Sequence, residues 1–423
     1  MPSKPPKHTK PWPGSRPTKQ PAPLARKAPV EPKAPTRHDA FAIAAPGLSA
    51  LLAAECTALG FVPREVTPAG VALDLDHRQL FALNAQTRVA SRVLVRLAQF
   101  TARDFATLEK QAARLVWRQV LSAGADVRLR VTCRKSRLYH SDAVAERVAR
   151  GITGQIKDAR VSTKANPDED DDAIGPTIAR DGELAQLIVV RIEHDVCTIS
   201  ADSSGELLHK RGWRQAVAKA PLRETLAAAM LMRCAWDGTC ALVDPFCGSG
   251  TIGIEGALMA RRIAPGLSRA FAMEQWPAAD RALFASVRDA LRAAVLPNVG
   301  VPIVMRDRDA GAIDAARANA ERAGVGGDVV ITQGPLSETA LAAIATQGLV
   351  LTNPPYGLRV SDGVDLRGLF ARLGDVLYAG GEGWQLGLLM PADRALLGQL
   401  PRPVASLLRT SNGGIAVELL RTV

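Results

Sequence analysis

Ala241-Leu242-Val243-Asp244-Pro245-Phe246-Cys247-Gly248-Ser249-Gly250-Thr251 runs from an apolar stretch, through an acid and a glycine-rich turn, into the helix-forming segment 252–260. The apolar residues 240–243 predict a buried strand that ends on a carboxylate. Glycines at 248 and 250 permit a tight turn and let backbone N–H groups approach a ligand closely. No Gly-Lys-Ser/Thr follows, so the loop is not a P-loop built around phosphates. An acid at the strand end suits a cationic or amino group. The zwitterionic amino-acid end of S-adenosylmethionine matches that chemistry, and Asp244, Phe246, Gly248, Ser249, Gly250 and Thr251 are the residues expected to hold it.

Outward from this loop, apolar strands alternate with Ala-rich helices. Strands are expected at 301–305, 329–332, 349–352 and 384–390, and helices at 222–232, 311–323 and 366–377. Such alternation predicts an α/β fold, a doubly wound and mainly parallel sheet whose ligands sit at the carboxyl ends of the strands. Asp307 and Asp309 follow the second strand. Asp309 reads as the N-cap of the next helix, which leaves Asp307 as the acid for a ribose. Ile313, Ala316, Ala320 and Ala323 form that helix's apolar face, and Gly324 ends it.

Thr352-Asn353-Pro354-Pro355-Tyr356-Gly357 follows another apolar strand. Two prolines stiffen the loop and remove local N–H donors. Nearby carbonyls and the Asn353 side-chain oxygen are then available to an exocyclic amine on a base. Two acceptors gripping its N–H groups turn its lone pair toward a methyl donor. Tyr356 can stack on the base. Asn353, Pro354, Pro355 and Tyr356 are therefore the expected reaction site, with no metal and no strong general base.

Residues 39–200 have a different texture. Short strands are expected at 41–44, 71–75, 93–97, 127–131, 187–190 and 197–200, with helices at 48–59 and 142–152, as in a small α+β module. Residues 166–172 form an acidic loop that stays solvated. Residues 1–38 carry nine Lys/Arg against Glu31, are rich in Pro and predict a disordered basic tail. That tail holds +8 of the net charge of +11. A basic surplus suits a polyanionic partner, and basic tails also serve solubility. The six cysteines contain no C-x-x-C pair and no zinc spacing, so neither a disulfide framework nor a structural metal is expected. The apolar runs are too short to cross a bilayer, and the N-terminus lacks a signal-like apolar core, so a cytoplasmic protein without membrane partners is expected.

Asp244–Thr251, Asp307 and Asn353–Tyr356 together resemble the class I amino-methyltransferases that modify nucleic-acid bases. A wider set of segments resembles the THUMP-domain RNA methylases: Asp202–Glu206, Leu208–Arg214, Ala220–Leu226, the insert Ala264–Leu267 with Phe271–Trp276, and the opening Ala45-Pro46-Gly47-Leu48 with Glu55. The resemblance covers about residues 39–423. It implies a ferredoxin-like segment at 39–79, a THUMP RNA-binding domain at 80–200 and a Rossmann-like methyltransferase domain at 201–423. It further implies methylation of guanine N2 in RNA, ribosomal before transfer RNA, with the target base flipped out. Arg134, Lys135, Arg137, Tyr139 and His140 form the best basic-aromatic cluster for RNA, or else a solvated loop. Arg211 and Arg214 either touch phosphate or pair with acids. Relatives commonly carry an acid after the third strand for the adenine; residues 331–336 have none, which leaves Gln333 or a backbone group. One methylase domain implies one modification. Adenine N6 methylation and a non-enzymatic RNA-binding factor remain as alternatives.

Overall fold

The structure is a computed structural model that describes residues 1, 3–4, 37–163, 185–215, 222–355, 366–391 and 394–423. The expected tail up to residue 36, the acidic loop 166–172, Ala220, Pro221, Tyr356 and Gly357 lie outside the described residues.

Within residues 35–423 two sheets carry the chain. The first is built from β1 (His38–Ile43), β2 (Pro63–Thr67), β3 (Gly70–Leu75), β4 (Arg92–Thr101), β5 (Asp126–Arg134), β6 (Arg160–Ser162), β7 (Gln186–Glu193) and β8 (Val196–Asp202). Its order is β2-β3-β1-β4-β8-β7-β5-β6. Helices α1 (Ser49–Ala58), α2 (His77–Gln86), α3 (Phe105–Ala112) and α4 (Ser141–Thr153) interleave with these strands. Strand β5 alternates half-buried Arg128 and Arg130 with buried Val127, Leu129 and Val131, the period-2 pattern of a strand with one face in the core. The first strand begins at His38, three residues before the expected one, and Arg37 pairs with Asp74. The cut expected between 79 and 80 falls inside α2, which is closed at its start by a capping box of Asp76 and Gln79. Strand β4 joins the two parts by pairing with both β1 and β8, so they share one continuous sheet.

The second sheet contains β9 (Ala241–Asp244), β10 (Ile303–Asp307), β11 (Val330–Gln333), β12 (Gly348–Thr352), β13 (Trp384–Met390), β14 (Val404–Asn412) and β15 (Ile415–Thr422). The order is β11-β10-β9-β12-β13-β15-β14. The first five strands are parallel and the closing hairpin is antiparallel. Helices α5 (Glu224–Arg233), α6 (Thr251–Ala260), α7 (Arg281–Ala293), α8 (Ala310–Arg322), α9 (Leu341–Ile344), α10 (Leu366–Gly380) and α11 (Arg394–Leu397) complete it. The strand order reverses between β9 and β12, which makes their carboxyl ends the switch point where such sheets bind ligands. The expected doubly wound sheet is present. The β14–β15 hairpin and α7 had no counterpart in the sequence expectation.

The junction between the sheets is a buried hydrogen-bond network. Ser203 Oγ donates to Val93 O, Ser204 Oγ donates to Asn84 Oδ1, and Asp202 pairs with Arg92. The insert after α6 reaches back to this network. Trp276 Nε1 donates to Gln186 Oε1 at 2.8 Å, and Met273 N donates to Ser203 O. Buried side chains of this kind are tolerated because each makes at least one hydrogen bond or ion pair.

Candidate active site

Strand β9 delivers Asp244 to the switch point at 2% exposure. The loop then turns through Gly248 (φ +49°) and Gly250 (φ +87°), left-handed conformations that favour glycine. A Cβ at Gly248 would meet nothing within 4 Å, so the turn faces open space. A Cβ at Gly250 would press on Ala316, Ile254 and Met305. Gly253, which the sequence expectation left out, completes a G-x-G-x-x-G spacing; a Cβ there would collide with the Met305 side chain, so the glycine lets α6 pack closely on β10.

The end of β10 secures the same loop. Asp307 Oδ2 accepts Gly248 N at 3.0 Å, and Oδ1 accepts Asp309 N at 3.0 Å. Each oxygen retains a second lone pair for a ribose hydroxyl. Asp309 caps α8 by accepting Ala312 N, as expected. From α8, the fully buried Asn319 donates to Ser249 O at 3.0 Å. Asn319 is a second residue the sequence expectation missed: a polar residue on a helix face reads as solvated unless its buried partner is known.

Asn353, half-buried, and buried Pro354 emerge from β12. Strands β9 and β12 are adjacent and parallel, with Val350 opposite Val243. Thr352 Oγ1 donates to Asp244 Oδ1 at 2.7 Å, with both residues buried. The diproline segment and the glycine loop therefore leave the same edge of the sheet side by side. Burial pushes the Asp244 carboxyl up to about 7; the Thr352 and Phe246 hydrogen bonds act in the opposite direction, and the Asp307 charge adds to the rise. A cationic group here would favour the ionised form. The open turn, the buried Asp244 and the Asp307 carboxylate at the end of β10 fit S-adenosylmethionine. Residues 331–336 carry no acid, Glu338 beyond them pairs with Arg306, and Gln333 Nε2 donates to Arg308 O at 3.2 Å.

Arg211 and Arg214, the other two residues expected at RNA, both pair with acids. Arg211 is 5% exposed, pairs with Glu255 and donates to Arg88 O. Arg214 pairs with Glu224 and donates to Thr251 Oγ1 and Leu222 O. Arg134 at the end of β5 and Lys135, Arg137, Tyr139 and His140 on the β5–α4 loop are all exposed. Ser136 and Asp195 pin its backbone: Asp195 accepts Arg137 N and donates its own N–H to Ser136 Oγ. The Tyr139 and His140 rings lie 4.0 Å apart. Among the described residues there is no group of three metal-ligating side chains, and no helix is long and apolar enough to cross a membrane.

Comparisons with known proteins agree with this layout. Residues 211–399 match the family model described as an RMKL-like methyltransferase domain, and residues 39–94 match the RlmL ferredoxin-like domain. The protein slr0064 of Synechocystis sp., provisionally named an RNA methyltransferase, is 30% identical over 91% of this chain and 97% of its own length. The Ribosomal RNA large subunit methyltransferase K/L of Syntrophotalea carbinolica is 33% identical over 82% of this chain and 48% of its own. The chain thus spans about half the length of that relative. The crystal structure of SMU.472 complexed with SAH matches with a TM-score of 0.78 at 26% identity, covering 92% of this chain and 98% of that one. A structure from Listeria monocytogenes, provisionally named an N6-adenine-specific DNA methylase, matches with a TM-score of 0.78 at 28% identity over 92% and 96% of the two chains. Near-complete coverage of slr0064, with both family models falling in order on the two sheets, makes this chain a member of the RMKL-like methyltransferase family.

Proposed function

We propose that this chain transfers a methyl group from S-adenosylmethionine to the exocyclic N2 amine of a guanosine in 23S rRNA. The observation that carries this reading is the Thr352–Asp244 hydrogen bond, which sets the Asn353 loop beside the glycine turn. The cofactor supplies an electrophilic methyl group on a sulfonium. The chain's own residues orient its acceptor. The Asn353 side-chain oxygen and the Pro354 carbonyl accept the two N–H groups of the base, turning the nitrogen lone pair toward the methyl. A C–N bond forms as the C–S bond breaks, and the amine becomes cationic. Its surplus proton then leaves to water, so no strong base is needed. Asp244 stabilises positive charge at the cofactor's amino-acid end, and Asp307 holds the ribose hydroxyls. Tyr356 stacks on the flipped base.

The module at 39–200, with a THUMP domain at 80–200, brings the RNA. Its contacts are Arg134, Lys135 and Arg137 on phosphate and Tyr139 with His140 on an unstacked base. Support for RNA comes from the names of slr0064 and the K/L methyltransferase; support for ribosomal RNA comes from the latter alone. The Listeria name favours adenine N6 as the second reading. Mass analysis of nucleosides from ribosomal and transfer RNA of a deletion strain tests the choice. Loss of N2-methylguanosine from 23S rRNA is the expected result. Loss from transfer RNA, or loss of N6-methyladenosine, would replace the proposal with the corresponding alternative.

A further inference from the structure

We propose that Arg103 belongs to the RNA-binding surface, and that Asp195 is the positioning residue that assembles this surface from three separate segments. The inference rests on the reading of Lys135, Arg137 and Tyr139 as RNA contacts and adds two residues to it.

The first observation is a convergence. Strand β4 ends at Thr101, β5 ends at Arg134, and β7 and β8 meet in the two-residue turn His194-Asp195. All three places come together on Asp195. Its carbonyl accepts Ala102 N at 2.8 Å, and its N–H donates to Ser136 Oγ at 3.0 Å. Its Oδ1 accepts Arg137 N at 2.8 Å, and its Oδ2 stands 3.6 Å from Arg103 Nε. One residue earlier, His194 N donates to Arg134 O.

The second is backbone conformation. Six non-glycine residues have positive φ among the described residues, and three of them are in this cluster: Lys135 (46°), His194 (50°) and Asp195 (64°). A two-residue hairpin turn with positive φ at both positions ordinarily takes Asn-Gly or Asp-Gly. Lysine is a poorer occupant of such a well. These conformations persist where surrounding contacts over-determine them, and they concentrate where ligands are held.

The third is charge. Arg103, Arg134, Lys135 and Arg137 are exposed, the Arg103 side chain by 64%. Acids next to this cluster in sequence are engaged: Asp104 caps α3, and Glu193 pairs with Arg191. Asp195 differs in kind, an acid whose side chain is only 20% exposed between Arg103 and the β5–α4 loop. A negative charge there weakens attraction for a polyanion. Its presence is accounted for by what it holds. It fixes the Arg137 backbone and keeps Arg103 alongside, so that cations from the ends of two strands meet the phosphates of one RNA strand while Tyr139 meets a base.

The test compares Asp195→Asn with Asp195→Gly in the full chain. Both substitutes accept a positive φ, but only asparagine keeps an acceptor for Arg137 N. Filter binding to 23S rRNA transcribed in vitro is the measurement. If Asp195 acted by charge alone, either change would tighten binding. Instead Asp195→Gly should weaken it about fivefold, the scale of one hydrogen bond, and Asp195→Asn should bind at least as tightly as wild type. Arg103→Ala should lower the slope of log affinity against log salt by about one. A glycine variant that binds as tightly as wild type, an asparagine variant as weak as the glycine one, or an unaltered slope for Arg103→Ala overturns the proposal. So does a parallel loss of S-adenosylhomocysteine binding in Asp195→Gly, which would make Asp195 a folding residue. Replacing Lys135 and Arg137 together with alanine separates this inference from the reading beneath it. Wild-type RNA affinity in that double variant removes RNA from the whole loop; a loss there, with tight binding by Asp195→Gly, removes only the role of Asp195.

Discussion

Thr352 Oγ1 and Asp244 Oδ1 stand 2.7 Å apart at the carboxyl ends of two adjacent parallel strands, and this bond joins the glycine loop to the diproline segment. Thr352 is fully buried and directly precedes Asn353. Its hydroxyl therefore sets the height at which the diproline segment leaves the sheet. Thr352→Val keeps the shape and removes the donor. The expected outcome is a fall in kcat of about tenfold, with S-adenosylhomocysteine affinity changed by less than about threefold. Thr352→Ser should restore most of the rate. A valine variant with normal kcat would show that the bond only packs the strands.

Asp244 gives a pH dependence with a defined sign. Its carboxyl is raised to about 7, mainly by burial. A folded value above the unfolded one means that the protonated form is favoured in the empty site. This contribution to stability is complete below the unfolded value and is lost as pH rises through about 7. Binding of a cationic cofactor end needs the ionised form, so affinity should follow the opposite course. Between pH 8 and pH 6, S-adenosylhomocysteine affinity should fall about tenfold, measured by calorimetry. Asp244→Asn should bind weakly with no such slope. Because the Thr352 hydrogen bond lowers the Asp244 value, Thr352→Val should move the acid limb to higher pH. A flat profile for the wild type would take Asp244 out of contact with the cation.

Asn353→Ala removes the side-chain acceptor offered to the base and leaves the glycine turn untouched. Turnover should drop about 100-fold or more, the scale of losing one transition-state hydrogen bond. S-Adenosylhomocysteine affinity should stay near wild type, because its proposed partners Asp244, Asp307 and the turn remain. Single-turnover kinetics on the RNA substrate would measure the loss. Wild-type turnover in the variant would remove Asn353 from the mechanism.

Much of this architecture was legible because its signals are local. Strand–helix alternation, the glycines at 248 and 250 and the two prolines at 354 and 355 are read within a few residues of each other. Long-range pairing was not legible. The continuity of the first sheet depends on β4 pairing with β8, Leu94 against Asp202, across more than a hundred residues. Arg211 reads as a surface cation until its partner Glu255, forty-four residues away, is brought to it. Asn319 reads as a solvated position on α8 until Ser249 O is seen beneath it. The β14–β15 hairpin was missed because 404–412 mixes polar and apolar residues, with Leu407 and Leu408 adjacent at a break in the register.

Glu255 illustrates how such a partner controls stability. It is fully buried on α6 and receives two arginines, Arg88 from the end of α2 and Arg211 from the segment after β8. Arg88 also donates to Ile263 O at 2.6 Å, and Arg211 to Arg88 O at 2.7 Å. The two halves of the molecule are thus tied through one carboxylate. Glu255→Ala leaves Arg211 without its carboxylate partner and Arg88 with only Glu55 acting on it, and should cost about 3–5 kcal/mol. Urea denaturation followed by circular dichroism measures this. A loss below about 1 kcal/mol would mean that the backbone carbonyls alone hold the arginines.

The β5–α4 loop should contribute affinity for RNA and nothing to the chemistry. Lys135 and Arg137 project into solvent from a backbone pinned by Ser136 and Asp195. Removing one cation from a phosphate lowers the slope of log affinity against log salt by about one. Replacing both residues with alanine should therefore reduce that slope by about two. RNA KM should rise, with kcat at saturating RNA and S-adenosylhomocysteine affinity unchanged. Tyr139→Ala should weaken binding without altering the salt slope, because stacking releases no counterions. Filter binding at several salt concentrations separates the two effects. An unaltered slope in the double variant would leave the loop as a solvated turn and move the RNA path elsewhere on the first sheet.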